Sequence, residues 1–300
     1  MKKLIRKGKV KEVYDIGRGK LEFLFTDNIS VFDKVVPSEI PRKGETLCKT
    51  SSYWFDQVED MGYKTHFIER KGDKKMLVEK VDIIEDYDDI DTETTDYLIP
   101  LEFIARYFLA GSLHDRMKSG KIHYEDLGFE EEPEYGERLP EPFFEVTTKL
   151  EEYDRGLTKE EALSIAGLTE EEFNRAKEMV FEIDEMIDKK VESNDLLHVD
   201  GKKEFGMDEN RELMLVDTFG TADEDRWWVK SEYEDGKIVQ KSKEFVRQHY
   251  REVGYHERLM EARREGKEEP PIPPLPDEIV EDTTELYVDI MFKLTDGIYR

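Results

Sequence analysis

The run Leu98–Leu113 limits the fold more than any other part of this 300-residue chain. Charged residues make up 40% of the sequence, yet this run carries only Glu102 and Arg106. Its apolar residues fall on both faces of an extended segment, as in a strand covered on both sides. The fold must therefore supply layers above and below a central strand. Arg106 lies inside that strand and needs an anionic partner, because a buried unpaired charge is costly. Ala110–Ser112 then forms a tight turn with backbone N–H groups and a hydroxyl. Beside Arg106 it reads either as a phosphate cradle or as a turn next to an arginine held by a structural carboxylate.

The length allows one large domain or two lobes. A hydrophobic content of 37%, with 11% aromatics, is ample for a core. No apolar run approaches a membrane span. The N-terminal residues Met1–Lys7 are charged and lack the apolar region of a secretory signal. Cys48 is the single cysteine, which excludes an internal disulfide and a cysteine metal cluster. A cytoplasmic protein is expected. The net charge of −27 argues against nucleic acid and anionic membranes as partners. Any phosphate chemistry must gather its cations locally.

Along the chain, Lys9–Ile16 and Leu21–Phe25 alternate in polarity around the turn Gly17–Lys20, which predicts a β-hairpin. Gly8 opens it, with Lys9 and Lys11 expected on one face. These residues read as a phosphate-covering strand or as an exposed edge strand carrying lysines. Asp27–Asp33 is expected as a loop, and Pro37, Pro41 and Gly44 as marks of irregular chain. A helix is predicted from Lys43 to about Met61, then strands at Tyr63–Ile68 and Met76–Ile84. Residues 85–96 form an acidic surface loop. Leu139–Lys149 is extended. Thr158 with Glu161 and Thr169 with Glu172 make capping boxes for two helices, the second running over Glu170–Asn194 with an amphipathic period. Lys241–Tyr250 starts a helix, residues 251–269 are highly charged, and a final helix covers Pro276 to about Leu294.

Between these helices, His198–Phe205 and Met214–Val216 read as two strands joined by a polar turn. Such a hairpin would bring Glu204 and Asp217 together at one end. Two convergent carboxylates are the minimal protein share of a magnesium site. Lys202 lies two residues before Glu204 and so shares its face. A metal-binding acid beside a phosphate-binding lysine is nucleotide chemistry. Arg226 could return to this place through the following loop, unless Trp227 and Trp228 simply anchor that loop by packing.

These pieces resemble one family in their order. Gly8-Lys-Val-Lys-Glu-Val-Tyr14, Asp27-Asn-Ile-Ser-Val-Phe-Asp33, Ile99-Pro-Leu-Glu-Phe-Ile-Ala-Arg106 with Ala110–Ser112, Val199-Asp-Gly-Lys-Lys-Glu-Phe-Gly206, Lys241-Ser-Lys-Glu-Phe-Val-Arg247 and Leu275-Pro-Asp-Glu-Ile-Val280 are similar to the motifs of SAICAR synthetases. These are the phosphoribosylaminoimidazole-succinocarboxamide synthases of purine biosynthesis. The resemblance covers nearly the whole chain.

The resemblance implies an α+β, ATP-grasp-like fold with two α/β lobes, antiparallel sheets around an ATP cleft, and C-terminal helices. The lobes would be residues 1–97 and 98–300. It implies a carbon–nitrogen ligase joining CAIR to L-aspartate, with ATP and Mg2+, through an acyl phosphate. Gly8, Lys9 and Lys11 would hold ATP phosphates. Lys80, Val81 and Ile83 would lie beside adenine on a lobe-connecting strand, and Glu204 and Asp217 would hold magnesium. Arg106, Gly111, Ser112 and Arg226 would grip the CAIR phosphate. Lys202 would lie near the reacting carboxylate, and Asp33 and Asp154 would be candidates for the aspartate pocket. Three positions depart from the family pattern: Thr218 stands where an acid is usual, Gly201 where an aromatic is, and Ala222 where proline is. They keep open a related ligase or kinase acting on another substrate, and a nucleotide-binding regulator without turnover.

Overall fold

The structure, a computed structural model, describes residues 2–151 and 153–299. Strands β1 (Lys3–Lys7), β2 (Lys11–Asp15), β3 (Lys20–Phe25), β4 (Asn28–Val31) and β5 (Lys34–Glu39) precede helix α1 (Lys43–Asp60). Next come β6 (Phe67–Arg70), β7 (Lys75–Glu79), β8 (Tyr97–Leu98) and β9 (Leu101–Phe108). Helix α2 (Gly111–Lys118), strand β10 (Arg138–Thr148) and helices α3 (Lys159–Ala166) and α4 (Glu170–Val191) follow. The chain closes with β11 (Leu196–Met207), β12 (Leu213–Val216), β13 (Arg226–Val229), α5 (Lys230–Glu234), α6 (Glu244–Glu252), α7 (Tyr255–Glu265) and α8 (Asp277–Leu294).

The first sheet has the order β1-β2-β3-β7-β6 and is antiparallel throughout. Leu21, Phe23 and Phe25 alternate inward along β3, the period that made this hairpin legible. The second sheet is built around β11. Its first part pairs with β13, its middle with β9, and its last residues with β12 and β8. Strand β10 extends this sheet beyond β9. Helix α4 covers it with Phe173, Val180, Ile183 and Ile187, and both predicted capping boxes form. Helix α1 packs against the first sheet and against α8. Buried residues of both sheets and of α1, α4 and α8 join in one continuous core.

Several expectations need correction. Pro100 divides the central run, so β8 and β9 are separate strands. The stretch read as loop and irregular chain is the two-stranded sheet β4–β5. Pro37 is tolerated there because an edge strand leaves its nitrogen outside the ladder. The strand expected to reach Ile84 ends at Glu79, which puts Lys80, Val81 and Ile83 in the connection after it. The α-helical part of Glu170–Asn194 ends at Val191. Arg226 opens a strand rather than lying in a loop. The charged run after Tyr250 contains α7, whose buried Tyr255, Leu259 and Ala262 recur at helical spacing among exposed charges.

Candidate active site

In the β11–β12 register Glu204 faces Val216, so Asp217 emerges one residue beyond the pair. Its φ of 60° turns the chain there, a conformation that Asp tolerates better than most residues. The two carboxylates converge on Lys149 at the end of β10. Lys149 makes an ion pair with Glu204, and its Nζ lies 3.7 Å from Asp217. Lys11 pairs with Asp217 from the other side. Lys202 donates to Glu102 at 2.6 Å and to Glu204 at 3.3 Å, and lies 3.3 Å from Glu224.

Four carboxylates thus meet three ammonium groups. Burial pushes the Glu204 carboxyl up from its ordinary value, and the charge of Asp217 adds to this against the pull of Lys149. Burial acts the same way on Asp217, but Lys11 and Lys149 hold it far below the carboxylate range. Glu204 Oε2 is buried and takes no hydrogen bond of good geometry. A strained anion with a spare lone pair, next to a second ionised carboxylate, suits a divalent cation.

The carboxylates lie at one end of a cavity of about 460 Å³. Its walls are apolar, with Val13, Leu21, Phe23, Val81, Leu98 and Val216. Gly8, Lys9 and Lys11 line it, as do Lys80 and Ile83, so every residue expected around the nucleotide is present. The expectation that Lys9 and Lys11 share one strand face fails. Lys9 precedes β2 and reaches Asp33 at 3.0 Å, whereas Lys11 reaches Asp217. The Gly8 N–H closes a tight turn onto the Lys11 carbonyl at 2.8 Å, and a Cβ at Gly8 would press on that oxygen.

A second cavity, of about 840 Å³, is polar and is lined by Arg106, Gly111, Ser112, Arg226, Asp33, Asp154 and Lys202. Arg106 donates to Glu145 at 2.8 Å, to Asp200 at 3.2 Å and to the Ser112 hydroxyl at 3.2 Å. Arg226 pairs with Asp200 and approaches Glu244 at 3.4 Å. Both readings of Arg106 therefore hold together: structural carboxylates orient a guanidinium that still lines the cavity. Ala110–Ser112 is the start of α2 rather than an isolated turn. Gly111 has φ 53°, and a Cβ there would overlap the Arg226 guanidinium. Asp154 is half-buried, and burial pushes its carboxyl up.

The two cavities adjoin. Gly8, Lys9, Val10, Asp223 and Glu224 line both. Residues that sequence reasoning missed complete the set. Lys149 bridges the carboxylates. Glu145 and Asp200 hold the arginines. Lys243, Arg247 and Arg251 line the polar cavity around Glu244. Lys243 and Arg247 lay within a quoted motif, and Lys149 closed the extended run; their charge in an acidic chain was the available signal.

The departures have local explanations. A Cβ at Gly201 would overlap the Asp225 carboxylate and come within 2.8 Å of His198 Nε2. Thr218 is buried with its hydroxyl 3.5 Å from Asp217. Ala222 accepts a backbone hydrogen bond from Lys243 at 2.8 Å, tying its loop to the start of α6. Among the described residues, no helix is long and apolar enough to cross a membrane.

An apolar cavity ending in paired carboxylates and lysines, opening on an arginine-lined cavity, defines an α+β protein that handles two phosphate-bearing ligands side by side. Residues 4–262 match the family described as SAICAR synthetase. The chain is 50% identical to the phosphoribosylaminoimidazole-succinocarboxamide synthase of Thermoplasma acidophilum over 98% of each chain, and equally so to that of Thermoplasma volcanium. The SAICAR synthase of Saccharomyces cerevisiae, solved as a complex with SAICAR, superposes with a TM-score of 0.73 at 26% identity, over 98% of this chain and 94% of that one. The chain belongs to the SAICAR synthetase family.

Proposed function

We propose that this chain joins CAIR to L-aspartate at the expense of ATP, and that the two adjoining cavities divide the substrates between them. ATP takes the apolar cavity, with adenine among Val13, Leu21, Val81 and Leu98. Its phosphates run toward Gly8, Lys9 and Lys11. Glu204 and Asp217 hold Mg2+ there; when bound, the ion neutralises phosphate charge. CAIR takes the polar cavity with its phosphate on Arg106, Arg226, Ser112 and the Gly111 backbone. Asp33 and Asp154 stand on the same cavity wall, where they can receive the ammonium group of L-aspartate. On this reading residues 1–97 form the lobe over the nucleotide and residues 98–300 the lobe that carries the second substrate.

The observation that carries the proposal is the shared wall. Lys202 bonds Glu204 on the metal side and lines the polar cavity, so it stands where the two ligands meet. A carboxylate is a poor electrophile. Transfer of the γ-phosphoryl group to a CAIR carboxylate oxygen breaks the bond to ADP and makes an acyl phosphate. The amine of L-aspartate attacks its carbonyl carbon, loses a proton and expels inorganic phosphate. No protein nucleophile is required. The lysines and arginines contribute charge neutralisation and alignment.

The test is ADP release. It should require CAIR and L-aspartate together, and Glu204→Gln should cut turnover at least about 100-fold, the scale of losing one preorganised electrostatic group. ATP turnover that is equally fast without either substrate would overturn the proposal. It would favour a regulator or a kinase of other specificity.

A further inference from the structure

Behind the active site, on the opposite side of Gly201, lies a buried polar cluster that the ligase chemistry does not use. His198 on β11 is fully buried and stacks on Trp227 with ring centroids 4.6 Å apart, which fixes the imidazole plane. Its Nε2 is 2.7 Å from Asp225 Oδ2. A carboxylate only accepts, so Nε2 carries the hydrogen and Nδ1 presents a lone pair. Nδ1 is buried and has no hydrogen-bond partner among the described residues. Two carboxylates of α4, one turn apart, face it: Asp184 Oδ1 and Asp188 Oδ1 each lie 3.8 Å away. Asp184 also pairs with Lys203 and accepts from the Tyr107 hydroxyl at 2.8 Å.

Charge decides what belongs at Nδ1. Asp184, Asp188 and Asp225 face one ammonium, that of Lys203, which leaves two negative charges over. A proton on Nδ1 offsets one of them, and at 3.8 Å it would have no acceptor within hydrogen-bond reach. A divalent ion offsets both. Two ligands each about 2.1 Å from such an ion stand about 3.4 Å apart at the tetrahedral angle, close to the separations seen. The Asp225–His198 contact is the outer carboxylate that metal-bound histidines use to fix tautomer and orientation. His198 and Asp188 also line a surface cavity of about 270 Å³, which gives an entry path and room for water ligands. Arg138, Lys189 and Lys230 stand around its mouth with Glu185 and Glu192, so cations and anions offset each other there. The same carboxylate field lifts the imidazole to about 9 against burial, and a field that attracts a proton attracts a metal ion.

We propose that His198, Asp184 and Asp188 form a structural site for a divalent transition metal, with Asp225 as the outer partner of the histidine. The nitrogen ligand favours zinc-like ions over magnesium. Gly201 is part of the site, because any side chain there would displace Asp225 and His198.

The test is calorimetric titration of Zn2+ into the EDTA-treated full chain. Wild-type protein and Glu204→Gln, which removes a carboxylate of the ATP cleft, should both keep a tight site of one Zn2+ per chain. Asp188→Asn should weaken that site at least 10-fold while ADP release with Mg2+ stays at the wild-type rate. Asp188 is half-exposed, so this variant folds even if His198→Gln does not. Unchanged Zn2+ affinity in Asp188→Asn, or no tight Zn2+ left in Glu204→Gln, would overturn the proposal.

Discussion

Lys11 and Asp217 form an ion pair that joins β2 of the first sheet to the end of β12 in the second, 206 positions apart in the chain. The pair places an ammonium group at the mouth of the apolar cavity, against one of the two proposed magnesium ligands. Lys11→Met removes a charge-assisted partner worth roughly 1.5–3 kcal/mol when fully engaged. The expected outcome is a KM for ATP raised about 10-fold or more, with the KM for CAIR little changed. Equal rises in both constants would place Lys11 outside the nucleotide site.

Gly111 and Arg226 are coupled through space. Alanine at position 111 must take a φ near 53° and put a methyl group where the guanidinium lies. The conformational part costs about 1 kcal/mol. The displaced Arg226 leaves Asp200 and withdraws from the cavity. Gly111→Ala should therefore raise the KM for CAIR at least about 10-fold while the unfolding midpoint falls only modestly. A variant with normal CAIR kinetics would show that Arg226 does not bind the phosphate.

The carboxylate pair was legible because a short hairpin and a period of two place Glu204 and Asp217 together from local rules alone. The central strand was legible because so few of its residues are charged. Lys149 was hidden for the opposite reason. Its approach depends on β10 pairing with β9 and on β9 pairing with β11, registers that no local pattern encodes. Helix α7 was hidden because its charged residues outnumber the three that it buries. The His198–Asp225 pair exists only because Gly201 has no side chain. From sequence, that glycine could be seen only as a missing aromatic.

Lys43 on α1 is fully buried and pairs at 2.7 Å with Asp223, which is also buried. Tyr287 of α8 donates to the same carboxylate. Burial would raise the Asp223 carboxyl, but Lys43 above all holds it down, to about 2. This pair fastens the loop that walls both cavities to α1 and α8. Lys43→Met leaves an uncompensated buried charge, at a cost of about 3–5 kcal/mol. Adding Asp223→Asn should recover a large part of that loss in chemical denaturation. A double variant as unstable as the sum of the two single variants would mean that the residues are not coupled.

Glu244 provides a test by pH. Burial would raise its carboxyl, but Arg226, Arg247 and Arg251 hold it down to about 2, from 4.5. A folded value below the unfolded one stabilises the protein fully above the unfolded value. That contribution is lost as pH falls from about 4.5 through about 2. The shift corresponds to about 3 kcal/mol at neutral pH. Glu244→Gln keeps the shape but cannot ionise, so at neutral pH it should be less stable by up to that amount. Because Glu244 also orients Arg226, the KM for CAIR should rise with the loss. Urea unfolding of both proteins at steps between pH 7 and about 2.5 reads the difference directly. It should be widest at neutral pH and narrow steadily below about 4.5, as the wild-type carboxylate takes up its proton. A constant gap across the range would show that the charge on Glu244 does not hold this arginine cluster together.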